Sequence, residues 1–156
     1  MVTQPTVKDI LEKAIEREIK AQNLYSELSQ KMNEEVAKNT FQELSRQEQG
    51  HQKLLEKYLR GELKEGALSR GHPIDYKIAE HFNQPEVSAD MKLKDIFLMA
   101  ASREKISHEV YLSLAAAHPD GEVKRLLEGI AAQELEHKQR VEFLYTEVAF
   151  PQTDGG

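Results

Sequence analysis

The residues that invite chemistry in this chain are glutamates and histidines set among apolar neighbours. Glu48 and His51 stand three apart, as do Glu134 and His137. On a helix that spacing puts both side chains on one face, one turn apart, so both can reach a common point. The flanking residues say which face it is. Leu44 lies four before Glu48 and Leu55 four after His51, while Ile130 lies four before Glu134 and Val141 four after His137. Glu18, between Ala14 and Ala21, and Glu104, between Ala100 and Tyr111, are placed in the same way. All six therefore face the core that the apolar residues define.

Burying even one unpaired carboxylate costs several kcal/mol or forces it to take up a proton. Four carboxylates converging on one core need strong compensation, and a pair of divalent metal ions supplies the balancing charge. Carboxylate oxygen with some imidazole suits iron or manganese better than copper. The bland alternative is a set of solvated or arginine-paired glutamates, with Arg17 and Arg103 as partners. A single Glu-x-x-His on a helix is usually solvated. Two copies, each at the same distance after a core glutamate, are hard to explain that way.

The motifs belong to a longer internal repeat. A shift of 86 residues lays Arg17-Glu18 on Arg103-Glu104, Gln47-Glu48 on Gln133-Glu134 and His51 on His137, without a gap. It also pairs Lys8-Asp9-Ile10 with Lys94-Asp95-Ile96, Tyr25 with Tyr111, and Leu28 with Leu114. Matched leucines mean little between two amphipathic helices, whereas matched Glu, His and Tyr on the apolar face mean more.

Four helical segments must carry these residues. The apolar period predicts a first helix over 7–32, a second over 33–59 capped by Asn33, a third over 91–117, and a fourth from an Asp120 cap to about 148. The second helix is expected to bury Val36, Phe41, Leu44, Leu54, Leu55 and Tyr58. Short turns make two antiparallel hairpins. Residues 60–90 form a long crossover, in which Pro73 can start a short helix through Phe82. The expectation is an all-α four-helix bundle over 1–150 with a tail at 151–156. His72, His81 and His118 lie in or near connections and read as surface residues.

The rest of the composition narrows the class. The net charge of −6 comes with no basic stripe, which argues against a nucleic-acid or anionic-membrane partner. No Cys is present, so disulfides, thiolate zinc sites and iron–sulfur ligands are out. The longest apolar run, Ile96 to Ala101, is far too short to span a bilayer. Met1 to Thr6 lacks the pattern of a signal peptide, and a cytoplasmic location is the expectation.

On Glu18-Ile19-Lys20-Ala21-Gln22-Asn23-Leu24-Tyr25 and the pair Glu48-x-x-His51 and Glu134-x-x-His137, the sequence resembles the rubrerythrin-like branch of the ferritin-like superfamily. The resemblance covers both hairpins. It implies a di-iron centre, with manganese or a mixed pair as variants. Glu18 and Glu104 would be end-on or bridging ligands, Glu48 and Glu134 would bridge, and His51 and His137 would each bind one metal. Tyr25 and Tyr111 would stand just behind the ligands, with Gln47 and Gln133 as weaker candidates for the same role. Two departures matter. Rubrerythrins carry a rubredoxin domain with Cys pairs, which this sequence lacks. They also place a second Glu three residues after the third-helix ligand, where this chain has Ser107. His108, next to it, is expected to pack or hydrogen-bond at the rim.

The resemblance implies an oxidoreductase that reduces peroxide or dioxygen at the di-iron centre. It would be fed by an external donor, a rubredoxin or a reductase, and would act as a homodimer. Without the extra Glu, its preference for peroxide should be weaker than in rubrerythrins. Two other readings stay open: ferroxidase-type iron handling, and a metal-stabilised bundle that serves as a non-catalytic partner-binding module.

Overall fold

The structure, a computed structural model, describes residues 4–74 and 91–149. Four helices run in chain order: α1 Val7–Lys31, α2 Glu35–Leu59, α3 Leu93–Ala116 and α4 Glu122–Ala149. No strand occurs among the described residues; the nearest thing is one antiparallel bridge between Thr6 and Pro73. The backbones approach closely within two hairpins, α1 with α2 and α3 with α4. The hairpins then face each other chiefly through side chains.

A capping box starts α1. The Thr6 hydroxyl accepts from the Asp9 amide at 3.3 Å, and the Asp9 carboxylate accepts from the Thr6 amide at 2.9 Å. The bridge to the crossover fixes the same end, because Val7 N donates to His72 O and Ile74 N to Pro5 O, both at 2.8 Å. The expected caps of α2 and α4 are displaced. Glu34, not Asn33, precedes α2 and makes no side-chain cap bond. Gly121, not Asp120, precedes α4, and Asp120 instead pairs with Lys124 at 3.6 Å. Gly121 is there because the crossover passes against it: a Cβ would stand 3.2 Å from Glu65 O. Gly66, at φ +79°, makes the matching approach to Pro119 O and needs the left-handed region.

The core is two apolar clusters separated by a polar layer. One holds Ile10, Leu11, Leu55, Leu114, Val123 and Leu127, and the other Leu28, Phe41, Leu44, Phe97, Val141 and Leu144. Along every helix the polar core residues fall at the seam between the two. Val36 does not join them: it is 63% exposed, and Ala37 takes the inward position. His118, expected on the surface, is 3% exposed. It is held between the Tyr58 hydroxyl at 2.6 Å and Leu114 O at 2.7 Å. His72 is exposed, as expected. The helix expected from Pro73 to Phe82 falls almost wholly outside the described residues, as does His81.

Candidate metal centre

All six polar core residues meet in the layer between the clusters, and each is at most 3% exposed. Their atoms form two overlapping groups. Glu18, Glu48, His51 and Glu134 offer one set of oxygen and nitrogen atoms within 4.8 Å of one another, and Glu48, Glu104, Glu134 and His137 offer another. Glu48 and Glu134 belong to both. His51 Nδ1 lies 2.9 Å from Glu134 Oε1 and 3.6 Å from Glu18 Oε2. His137 Nδ1 lies 2.6 Å from Glu48 Oε1 and 3.7 Å from Glu104 Oε2. The two imidazoles are nearly parallel, 5.9 Å apart.

Close as these atoms are, they do not satisfy one another. Glu18 Oε2, Glu48 Oε1, His51 Nδ1, Glu104 Oε2, Glu134 Oε1 and His137 Nδ1 are buried without a hydrogen-bond partner. Each residue thus turns one orphaned atom inward. Buried polar atoms without partners cost about 1–3 kcal/mol each, more when charged, so six in one place form a cluster that could hold metal. The set is hard carboxylate oxygen plus imidazole nitrogen, which fits iron or manganese.

Glu18, Glu104, His51 and His137 each have their other polar atom held, and every one of these links crosses between hairpins. Tyr25 OH donates to Glu104 Oε1, and Tyr111 OH donates to Glu18 Oε1 at 2.6 Å. His51 Nε2 meets Gln133 Oε1 at 2.5 Å, and His137 Nε2 meets Gln47 Oε1. An amide oxygen only accepts, so Nε2 carries the proton. That leaves Nδ1 facing the layer, the nitrogen that would bind a metal. These links come in twos because the repeat relates the hairpins by an approximate two-fold. His108, by contrast, turns away: its Nδ1 hydrogen-bonds Ala131 O at 2.6 Å. Ser107 lies at the edge of the layer and accepts from Arg17 Nη2 at 2.9 Å.

The electrostatics show the strain of the metal-free layer. Burial, then the neighbouring glutamates, push Glu48 and Glu134 well above the usual carboxylate range. Burial opposes charge on Glu18 too, but Glu48 and His51 beside it hold it low. Burial would lower His51, yet Glu134, Glu18 and Glu48 around it raise it far above the ordinary imidazole value. Burial and the carboxylates raise Tyr25 and Tyr111, so both stay protonated and keep donating.

Two contacts here were not anticipated from the sequence. Arg17, a possible partner of a core glutamate by sequence, donates to Ser107 instead. The Tyr58–His118 pair had a signal: His118 follows Leu114 by four, in phase with the buried face of α3.

The fold and layer define a ferritin-like four-helix bundle with a buried carboxylate–histidine cluster able to bind metal. The chain belongs to the rubrerythrin family, whose sequence profile, Rubrerythrin, matches residues 9–145. Among solved structures it is similar to a ferritin-like diiron-carboxylate protein of Thermotoga maritima. The identity is 27% and the TM-score 0.72, covering 95% of this chain and 99% of that one. It shares the fold of a hypothetical protein from Pyrococcus furiosus at 24% identity and TM-score 0.74, over 94% of this chain and 92% of that one. None of the curated proteins matches it. No described helix is long and apolar enough to cross a membrane.

Proposed function

We propose that this protein is a di-iron oxidoreductase that reduces peroxide or dioxygen. The six orphaned, inward-facing ligand atoms carry the reading, with the rubrerythrin family match and the diiron-carboxylate description of the Thermotoga protein in support. His51 with Glu18 would hold one iron and His137 with Glu104 the other, while Glu48 and Glu134, common to both groups, would span the pair. Iron bound there supplies electrons to the oxidant.

The chain's own contribution is positional. Gln133 and Gln47 hold the imidazoles with Nδ1 inward. Tyr111 and Tyr25 hold Glu18 and Glu104 by their outward oxygens and so leave the inward ones free. The two apolar clusters exclude bulk water from both ends of the layer. The sequence has no Cys, so electrons would come from an external donor such as a rubredoxin or a reductase. The family resemblance adds a homodimer to the proposal, and the location proposed is the cytoplasm.

Iron analysis of the purified protein, followed by rapid mixing of its reduced form with each oxidant, tests the reading. The expected result is two irons per chain and oxidation of both by peroxide or dioxygen without iron release. One metal per chain, or an iron pair inert to both oxidants, would overturn it. Release of iron on each turnover would point to iron handling instead.

A further inference from the structure

The repeat matches the two hairpins inside the bundle but not on the outer face of α3. There Leu98, Ser102, Lys105, Glu109, Leu112 and Ala116 follow one another at alternating steps of four and three, which lines them up as one stripe along the helix. The stripe points away from Ile96, Phe97, Ala100, Glu104 and Leu114, which α3 buries. Leu98 is 48% and Leu112 45% exposed. Ser102, Lys105 and Ala116 are exposed too, and Glu109 is half-buried. The corresponding residues of α1 are Glu12, Glu16, Ile19, Asn23, Ser26 and Gln30, an ordinary solvated face with one hydrophobic residue. The bundle itself therefore does not call for leucines at this place.

The stripe is complementary to itself when reversed. Set antiparallel on a second copy, about a two-fold axis midway between Lys105 and Glu109, it brings Leu98 onto Ala116, Ser102 onto Leu112 and Lys105 onto Glu109, each contact occurring twice. Each leucine meets a small residue, which lets two helices approach to about 8–10 Å, and each charge meets its opposite. Among the described residues neither Lys105 nor Glu109 has an ion-pair partner within the chain. The matched stretch is about 27 Å long. The other exposed apolar pair, Val36 and Phe143, has no such order, and Arg140 beside it is already paired with Glu43 at 3.1 Å.

We propose that the outer face of α3 is the homodimer interface, covered by a second copy of this chain packed antiparallel. The inference takes up the homodimer of the proposed function and gives it a surface; it does not depend on the iron.

Sedimentation equilibrium of the full-length protein over a concentration series measures the dimer dissociation constant. The unmodified protein should dimerise. Leu112→Glu should weaken the dimer by about a hundredfold or more, because it drives a carboxylate into the seam twice. Lys105→Glu and Glu109→Lys should each weaken it by about tenfold or more, since each sets like charges together at both symmetric contacts. Mixing those two variants should restore association as a heterodimer, in which unlike charges again face each other at both contacts. Ser26→Glu on the matching face of α1, and Phe143→Glu, should leave the dimer unchanged. A protein that stays monomeric throughout would overturn the proposal, and so would a dimer that the α3 variants leave intact or that Phe143→Glu alone dissociates. Weakened single variants that fail to associate when mixed would overturn the antiparallel pairing. Iron content of the same samples separates the two readings: wild-type iron with no dimer removes only the interface, and a dimer without iron removes only the metal centre.

Discussion

A histidine that binds metal through Nδ1 needs its other nitrogen held, or the ring turns and the wrong tautomer faces the ion. Gln47 and Gln133 do this from across the bundle, each directly before the glutamate of the other hairpin's partner motif. The amide is neutral, so it fixes the tautomer without adding a negative charge to a layer that already has four. Gln47→Leu and Gln133→Leu should each keep the fold but lower metal affinity by about tenfold to a hundredfold. Competition against a chelator of known strength measures this, and unaltered affinity in both variants would show that the rings are held by packing alone. The sequence placed these glutamines beside the ligand motifs but could not say which ring each would meet. The contacts cross between hairpins, and residue spacing within one helix carries no information about that. The same holds for Arg17 and Ser107, which lie on different helices.

At the scale of the helix, the phase of the buried face was legible almost everywhere. Helix α2 buries Ala37, Phe41, Leu44, Glu48, His51, Leu55 and Tyr58, an alternation of four and three that a 3.6-residue period dictates. Val36 broke the expectation because it is hydrophobic but one residue, about 100°, out of phase. Asn33 failed as a cap because the helix begins two residues later, at Glu35. His118 continues the buried face of α3 past the helix end, and what covers it is the crossover: Leu68 N donates to the Tyr58 hydroxyl at 3.2 Å. Long-range docking of a loop leaves no local pattern. The consequence is a pH dependence. Burial lowers the His118 pKa below the ordinary 6.5, so the unfolded chain binds the extra proton first. Its contribution to stability is therefore present above about pH 6.5 and lost as pH falls through the folded value. His118→Asn should melt well below the wild type at about pH 7.5, and the gap should narrow by about pH 5.5. A gap that is constant or grows in acid would mean that His118 is charged in the folded protein.

For the whole molecule, the polar layer sets one half of the fold against the other. The two apolar clusters drive the hairpins together, and in doing so they force four carboxylates into one place. Without metal the layer copes by binding protons: Glu48, Glu134 and His51 all have raised pKa values. A raised group stabilises the fold fully below its unfolded pKa, and that stability is lost as pH rises toward the folded value. For the two glutamates the loss begins above about pH 4.5, and for His51 above about pH 6.5. Glu18 has the opposite shift, but its contribution is complete above about pH 4.5 and is constant from there. The metal-free protein should therefore lose stability at this layer between about pH 5.5 and about pH 8. Metal binding follows the reverse course, because the ions must displace those same protons, so affinity and its stabilising effect grow with pH. His118 titrates alike in both forms and cancels in the comparison. The difference in melting temperature between metal-loaded and metal-free protein should accordingly widen as pH is raised across that range. Scanning calorimetry of the two forms in matched buffers measures it. A gap that stays level or shrinks would mean that protons and metal do not compete for these six side chains, and the ions would have to sit elsewhere in the bundle.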